Sequence, residues 1–201
     1  MVIPFSGRWT PHVTVAAIVE ADGRYLLVEE ETAAGLRLNN PAGHLEAGES
    51  LLQAVVREVL EEAACDFTPS HLVGVYLAPS SEPAQPSYLR FAFAGSVGAP
   101  RPGATLDQGI VRTLWLTPSQ IEAERARHRS PLLWRCIQDH RAGQRHPLSM
   151  LHTEGSGGAF AGPDYRGLRC VAVVEERPGK RACALRGSHT PVLASPHSNI
   201  L

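Results

Sequence analysis

The chain has 201 residues, 43% of them hydrophobic and 19% charged, enough for one ordinary domain plus an appendage and too little for two full-sized cores. Its formal net charge of -1 excludes the basic footprint that holds a nucleic acid polymer through its phosphates. No apolar run approaches the roughly 18 residues of a membrane span, and no basic start or small-residue cleavage site accompanies the apolar run Val13 to Val19, so a cytoplasmic protein off the membrane is expected.

After an N-terminal arm over 1–9, Val13 to Glu20 and Arg24 to Glu30 are rich in β-formers and separated by Ala-Asp-Gly, which predicts a hairpin. Residues 31–50 hold Gly35, Asn39, Asn40, Pro41, Gly43 and Gly48, a long turn-rich connection of the kind that carries function. Ser50-Leu-Leu-Gln53 is a capping box, so a helix is expected from there to about Ala64. Strands fit Leu72 to Ala78, Leu89 to Val97 and Ile110 to Leu116. Thr117-Pro118 and Ser130-Pro131 each set a cap residue before a proline at the first helical position, and Gly143 stops the last helix. The Arg- and His-rich run from Arg125 to His146 reads as the outer face of these two helices. Strands interleaved with three helices predict a layered α/β or α+β domain over 10–150. Beyond it glycine and proline accumulate, and 151–201 reads as an extension, partly disordered or a small docked hairpin built on Cys170 to Val174 and Ala182 to Leu185. The four cysteines (Cys65, Cys136, Cys170, Cys183) share no C-x-x-C spacing and are expected to be reduced thiols.

The helix after Ser50 has two faces. At about 100° per residue, with Arg57 at zero, Glu61 falls near 40°, Glu58 near 100° and Glu62 near 140°, while Leu52, Val55, Val56, Val59, Leu60 and Ala63 fall between roughly 160° and 300°. A solvated charged face is the ordinary fate of such a cluster. Here acids at i and i+4 repel, and carboxylates in the last turns oppose the negative end of the helix dipole. A divalent cation reverses both penalties, and hard Mg²⁺ takes carboxylate oxygens together with substrate phosphates. The cluster is a candidate metal site.

With the loop before it, the segment resembles the Nudix box, G-x5-E-x7-R-E-U-x-E-E-x-G-U with U a bulky aliphatic. Gly43, Glu49, Arg57, Glu58, Val59, Glu61 and Glu62 match. Five charged residues at those spacings would recur by chance in about one such chain in ten thousand. Ala64 replaces the usual Gly and Cys65 the usual aliphatic. Gly there lets the helix leave through a left-handed turn, so the alanine is expected to find another exit. The resemblance spans about residues 10 to 150 and implies a Nudix-type α/β/α sandwich with a mixed sheet. It further implies that Glu58, Glu61, Arg57 and Glu49 carry the catalysis and that Glu58, Glu61, Glu62 and the Ala42 carbonyl ligate Mg²⁺, with Mn²⁺ as a possible substitute. Glu49 and Arg57 pair to fix the loop, and Glu58 is the first candidate for general base. Arg90 and Arg112, on strands, and Asp107, in a loop before the last strand, are substrate-binding candidates. His44 is expected to be structural.

Within the family the chain is similar to the NudJ-like phosphatases, through Pro11-His-Val-Thr-Val-Ala16, Asn40-Pro-Ala-Gly-His-Leu-Glu46 and Arg129-Ser-Pro-Leu132. That likeness implies a small-molecule phosphate substrate, nucleoside di- and triphosphates and hydroxymethylpyrimidine pyrophosphate, cleaved by a monomer or homodimer with release of orthophosphate. Two alternatives stand beside it. One is a pyrophosphohydrolase that cuts between the α and β phosphates of a damaged nucleotide or nucleoside diphosphate sugar. The other is a nucleotide-sensing module that does not hydrolyse, whose mark would be a lost box carboxylate.

Overall fold

The structure, a computed structural model, describes residues 9–79 and 86–153. In chain order its elements are β1 (His12–Ala21), β2 (Arg24–Thr32), β3 (Gly35–Asn39), β4 (Ala42–His44), α1 (Leu51–Ala63), β5 (Phe67–Ala78), β6 (Tyr88–Val97), β7 (Ile110–Leu116), α2 (Pro118–Ala123) and α3 (Pro131–Arg141). β1 and β2 turn on Asp22 and Gly23, at φ 50° and 74°, the left-handed pair that a two-residue hairpin wants. The strands form one mixed sheet in the order β3-β2-β1-β6-β5, in which β1 and β6 run parallel. β4 lies antiparallel to β1 and β7 antiparallel to β2.

Side-chain alternation along the strands sorts the core into two layers. Val15, Ala17 and Val19 of β1, Leu26 of β2, Leu72 of β5 and Phe93 of β6 pack under Ala54, Val55, Val59 and Ala63 of α1. Their neighbours Ile18, Tyr25, Leu27, Val73, Ala92 and Ala94 point the other way, onto Ile121 of α2 and Leu133, Cys136 and Ile137 of α3. This is the expected α/β/α sandwich, with α1 alone on one face.

The caps hold as the sequence predicts. Ser50 and Gln53 close a capping box at α1, Thr117 and Gln120 close another at α2, and Ser130 caps α3. Three departures have physical reasons. The turn-rich connection over 31–50 contains two strands, β3 and β4, too short to show an alternation between their Gly and Asn-Pro breaks. β5 begins at Phe67 rather than Leu72 and accommodates Pro69 because it is the last strand of the sheet and its register shifts there. The helix end is the third. Ala64 takes the left-handed conformation itself, φ 56° and ψ 24°, with its N–H on the Leu60 carbonyl. It makes the exit that glycine usually makes, at a cost of about 1 kcal/mol.

Leu148 and Leu151 pack on the α1-side core, so the folded unit reaches slightly past residue 150. The arm over 1–8 and the hairpin expected at Cys170 to Val174 and Ala182 to Leu185 lie outside the described residues, as do Cys170 and Cys183. Cys65 and Cys136 are buried free thiols. Among the described residues no helix is long and apolar enough to cross a membrane.

Candidate active site

The register of β4 on β1 decides which way each of its residues faces. Val15 pairs with Gly43, on the α1 side, and Thr14 and Ala16 pair with His44 and Ala42, on the α3 side. Main-chain bonds to β1 use Pro41 O and Leu45 N. The polar groups of Ala42 and His44 therefore project from the free edge of the strand, towards α1. Ala42 N–H donates to Glu62 Oε2 at 2.8 Å and the His44 carbonyl accepts from Arg57 Nη2 at 2.9 Å. This edge brings Ala42 beside the box carboxylates.

Arg57 is the hub of the α1 side. Its Nε and Nη2 take both carboxylate oxygens of Glu49, at 3.1 and 2.8 Å, and Nη1 is shared by Glu58 at 2.7 Å and Glu61 at 2.9 Å. Glu49 also accepts from the Glu46 N–H at 2.8 Å, which closes the loop against the helix. The pairing of Glu49 with Arg57 is as expected; the additional links to Glu58 and Glu61 were not visible in the spacing. The Glu49 carboxylate, followed by Glu58 and Glu61, holds the guanidinium firmly protonated. Burial opposes ionisation of Glu49, but the Arg57 bonds outweigh it and hold that carboxyl low.

The acids differ from one another. Glu61 is half-exposed, while Glu58 is buried beneath β4. Burial raises the Glu58 carboxyl, with Arg57 pulling back. Burial also pushes Glu62 up to about 8, against the Ala42 N–H and aided by Glu58, Glu30 and Asp107. Gly43 makes this packing possible, since a Cβ there would collide with the Glu58 carboxylate. Asp107 N–H donates to the Glu61 carbonyl at 2.9 Å, so the loop before β7 is tied to the end of α1. Among the described residues no three His, Cys, Asp or Glu side chains are gathered closely enough to hold a cation in this arrangement, in which Arg57 stands among them. The donors suit a hard cation all the same: oxygen ligands on one helix face, two of them carboxylates that burial leaves short of charge compensation.

On the α3 side of β4 lies a pocket of about 260 Å³. Arg90, only 8% exposed, lies in its wall with Nε and Nη1 unpaired. Thr14, Glu30, Asn39 and Arg129 join it, and His44 and Tyr88 supply aromatic walls with ring centroids 6.1 Å apart. Arg112 is placed elsewhere: it donates to Glu29 Oε2 at 2.7 Å, is largely exposed, and is not part of the pocket lining. Of the pocket residues Arg90 and Ala42 are candidates from the sequence, the first for substrate and the second, through its carbonyl, for the cation. Thr14, Arg129 and His44 fall within the three stretches shared with the NudJ-like group, which was the available signal; Glu30 and Asn39 gave none.

The NUDIX domain profile matches residues 9–135. The chain is 38% identical over 143 residues to Phosphatase NudJ of Escherichia coli K12, an alignment covering 70% of this chain and 90% of that one. The likeness to Phosphatase NudJ of Shigella flexneri has the same identity and extent. Among solved structures it is similar to a NUDIX hydrolase from Nitrosomonas europaea, with 47% identity, a TM-score of 0.70, and coverage of 74% of this chain and 100% of the other. A UDP-X diphosphatase structure, 19% identical with a TM-score of 0.57 over 72% of this chain and 69% of its own, shares the fold.

Proposed function

The chain belongs to the Nudix family and is a hydrolase of phosphoanhydride bonds related to Phosphatase NudJ, and from that premise we propose that it is a Mg²⁺-dependent phosphatase of nucleoside di- and triphosphates and of hydroxymethylpyrimidine pyrophosphate, releasing orthophosphate. The observation that carries the reading is the convergence of three separate stretches on one pocket. Thr14, from Pro11 to Ala16, Ala42 to His44, from Asn40 to Glu46, and Arg129, Ser130 and Leu132, from Arg129 to Leu132, all contribute to its wall, one strand away from the carboxylates.

In this reading Glu58, Glu61, Glu62 and the Ala42 carbonyl hold the cation. A bound Mg²⁺, or Mn²⁺ in its place, neutralises phosphate oxygens and lowers the pKa of water. The protein's own residues divide the remaining work. Glu49 fixes Arg57, and Arg57 fixes the loop and the orientation of Glu58 and Glu61. Glu58, whose carboxyl burial raises from its ordinary value, takes the proton of the attacking water where it does not itself serve as a ligand. Asp107, tied by its N–H to the end of α1, adds a further acid beside the site. The pocket behind β4 seats the part of the substrate that does not react.

Hydrolysis in ¹⁸O-labelled water decides the bond. Label in orthophosphate is the expected result. Pyrophosphate as product, with label in it or in the monophosphate, would replace this reading with cleavage between the α and β phosphates.

A further inference from the structure

Arg125, His128 and Arg135 have no part in the reaction proposed above, yet they do not lie scattered on the surface. Together with Arg129, Ser130 and Trp134 they line a cavity of about 560 Å³, against about 260 Å³ for the pocket behind β4. That volume lies within the range of small-molecule sites. Among the described residues no Asp or Glu lines it. In a chain of net charge -1 this is a local concentration of cations with a concave shape.

Among the described residues each guanidinium commits one nitrogen to an acid outside the lining: Arg125 Nη2 to Glu122 at 3.3 Å, Arg129 Nε to Glu30 at 3.4 Å and Arg135 Nε to Asp139 at 2.8 Å. Arg125 and Arg135 are exposed, and exposed pairs hold their side chains weakly, so an arriving anion can recruit both. Trp134 supplies what a mere surface patch would lack. It is only 7% exposed, and its Nε1, which can only donate, has no hydrogen-bond partner. Burying such a group without an acceptor is costly, and the charged groups around the cavity offer none. The cavity also borders the N-terminus of α3, at Ser130 and Pro131. There Ser130 already accepts from the Leu132 and Leu133 N–H groups, so the helix contributes the positive end of its dipole rather than free donors.

We propose that this cavity is a second binding site, for a phosphate oxyanion, that takes no part in the hydrolysis. A phosphate oxyanion is all acceptor and answers the guanidinium groups and the indole N–H together, whereas a cation or a neutral donor would leave them unmet. The volume and the three arginines suit two linked phosphates better than one. The site stands whether or not the reaction is the one proposed above. Arg129 and Ser130 line both cavities, so a bound anion draws on the guanidinium that stands against Glu30 in the substrate pocket.

The test is calorimetric titration of the full 201-residue chain with pyrophosphate and with orthophosphate, at low ionic strength and without added metal, where the box carboxylates repel an anion. At least one of the two is expected to bind with a dissociation constant below about 1 mM, pyrophosphate the more tightly, and the order of the two tells whether the site takes two phosphates or one. A variant carrying Arg125→Gln and Arg135→Gln alters two exposed side chains and should fold as the wild type does. It should bind the anion at least about tenfold more weakly while kcat and KM of hydrolysis stay unchanged. Trp134→Phe, which keeps a ring and loses the N–H, should weaken binding about threefold or more. Failure of both anions to bind below about 1 mM overturns the proposal, as does wild-type affinity in the double variant, which would put the anion on Arg90 instead. A fall in turnover in the double variant would make the cavity part of the substrate site and overturn its independence.

Discussion

On the α1 side of β4 the Arg57 guanidinium is spent entirely on the protein, divided among Glu49, Glu58, Glu61 and the His44 carbonyl, whereas on the α3 side the Arg90 guanidinium keeps Nε and Nη1 unspent. The two arginines are a strand apart and do opposite work. The first neutralises a cluster of acids and ties it to the loop before anything binds. The second sits desolvated among unsatisfied neighbours, an arrangement that favours occupancy by something from outside. In the proposed function chemistry falls to the satisfied side and recognition to the unsatisfied one.

The largest effect should come from the satisfied side. Glu61→Gln removes a charge from the acid cluster but nothing from either core layer, so turnover at saturating Mg²⁺ should fall by about a hundredfold or more while circular dichroism stays unchanged. Near-normal turnover would detach Glu61 from the metal. Gly43→Ala is next, because its methyl must displace the Glu58 carboxylate. It should lower kcat by about tenfold or more and raise KM much less, since the Cβ points away from the pocket; a loss confined to KM would mean that the two sides of β4 are not separate in function.

A smaller effect concerns the far end of the α3 layer. His71 of β5 stacks on His140 of α3, with ring centroids 6.0 Å apart, and His140 Nδ1 meets the Tyr25 hydroxyl at 3.0 Å. Burial holds both imidazoles below their ordinary pKa; Arg145 adds to this for both, and His146 for His71. A histidine depressed in the fold binds its proton more readily when unfolded, so stability is full above the unfolded value and is lost as pH falls below it. The melting temperature should therefore drop between about pH 7.5 and about pH 5.5, and His71→Phe should flatten that slope. An unchanged slope in the variant would remove His71 from the account. The smallest expected effect is a gain. Ala64→Gly relieves the left-handed cap and should add about 1 kcal/mol, read as a rise of a few degrees in melting temperature with activity unaltered.

These four residues also show what the sequence could reveal. Glu61 and Gly43 stand at spacings that announce themselves, because a helix and a loop of fixed length carry their geometry in their numbering. The strands β1, β2, β6 and β7 and all three helix starts were legible from β-rich runs and cap residues, which act over a few neighbours. Ala64 was misjudged because a local penalty of about 1 kcal/mol is small beside the packing of a whole helix, which overrode it. The pocket was illegible for another reason. Thr14, Glu30, Asn39, Arg90 and Arg129 come from separate elements, four of them strands meeting only in the sheet, and neither a lone Thr nor a lone Glu carries a sign of what will lie opposite.

The three residues of β4 carry a last consequence. Because neighbouring positions of a strand face opposite ways, side chains at 42 and 44 lie on the face of the pocket, whereas a side chain at 43 would meet the Glu58 carboxylate. A substitution at position 44 is therefore expected to alter what the pocket admits before it disturbs the carboxylate helix, and one at 43 the reverse. A fold partitioned in this way invites new substrates more readily than new chemistry.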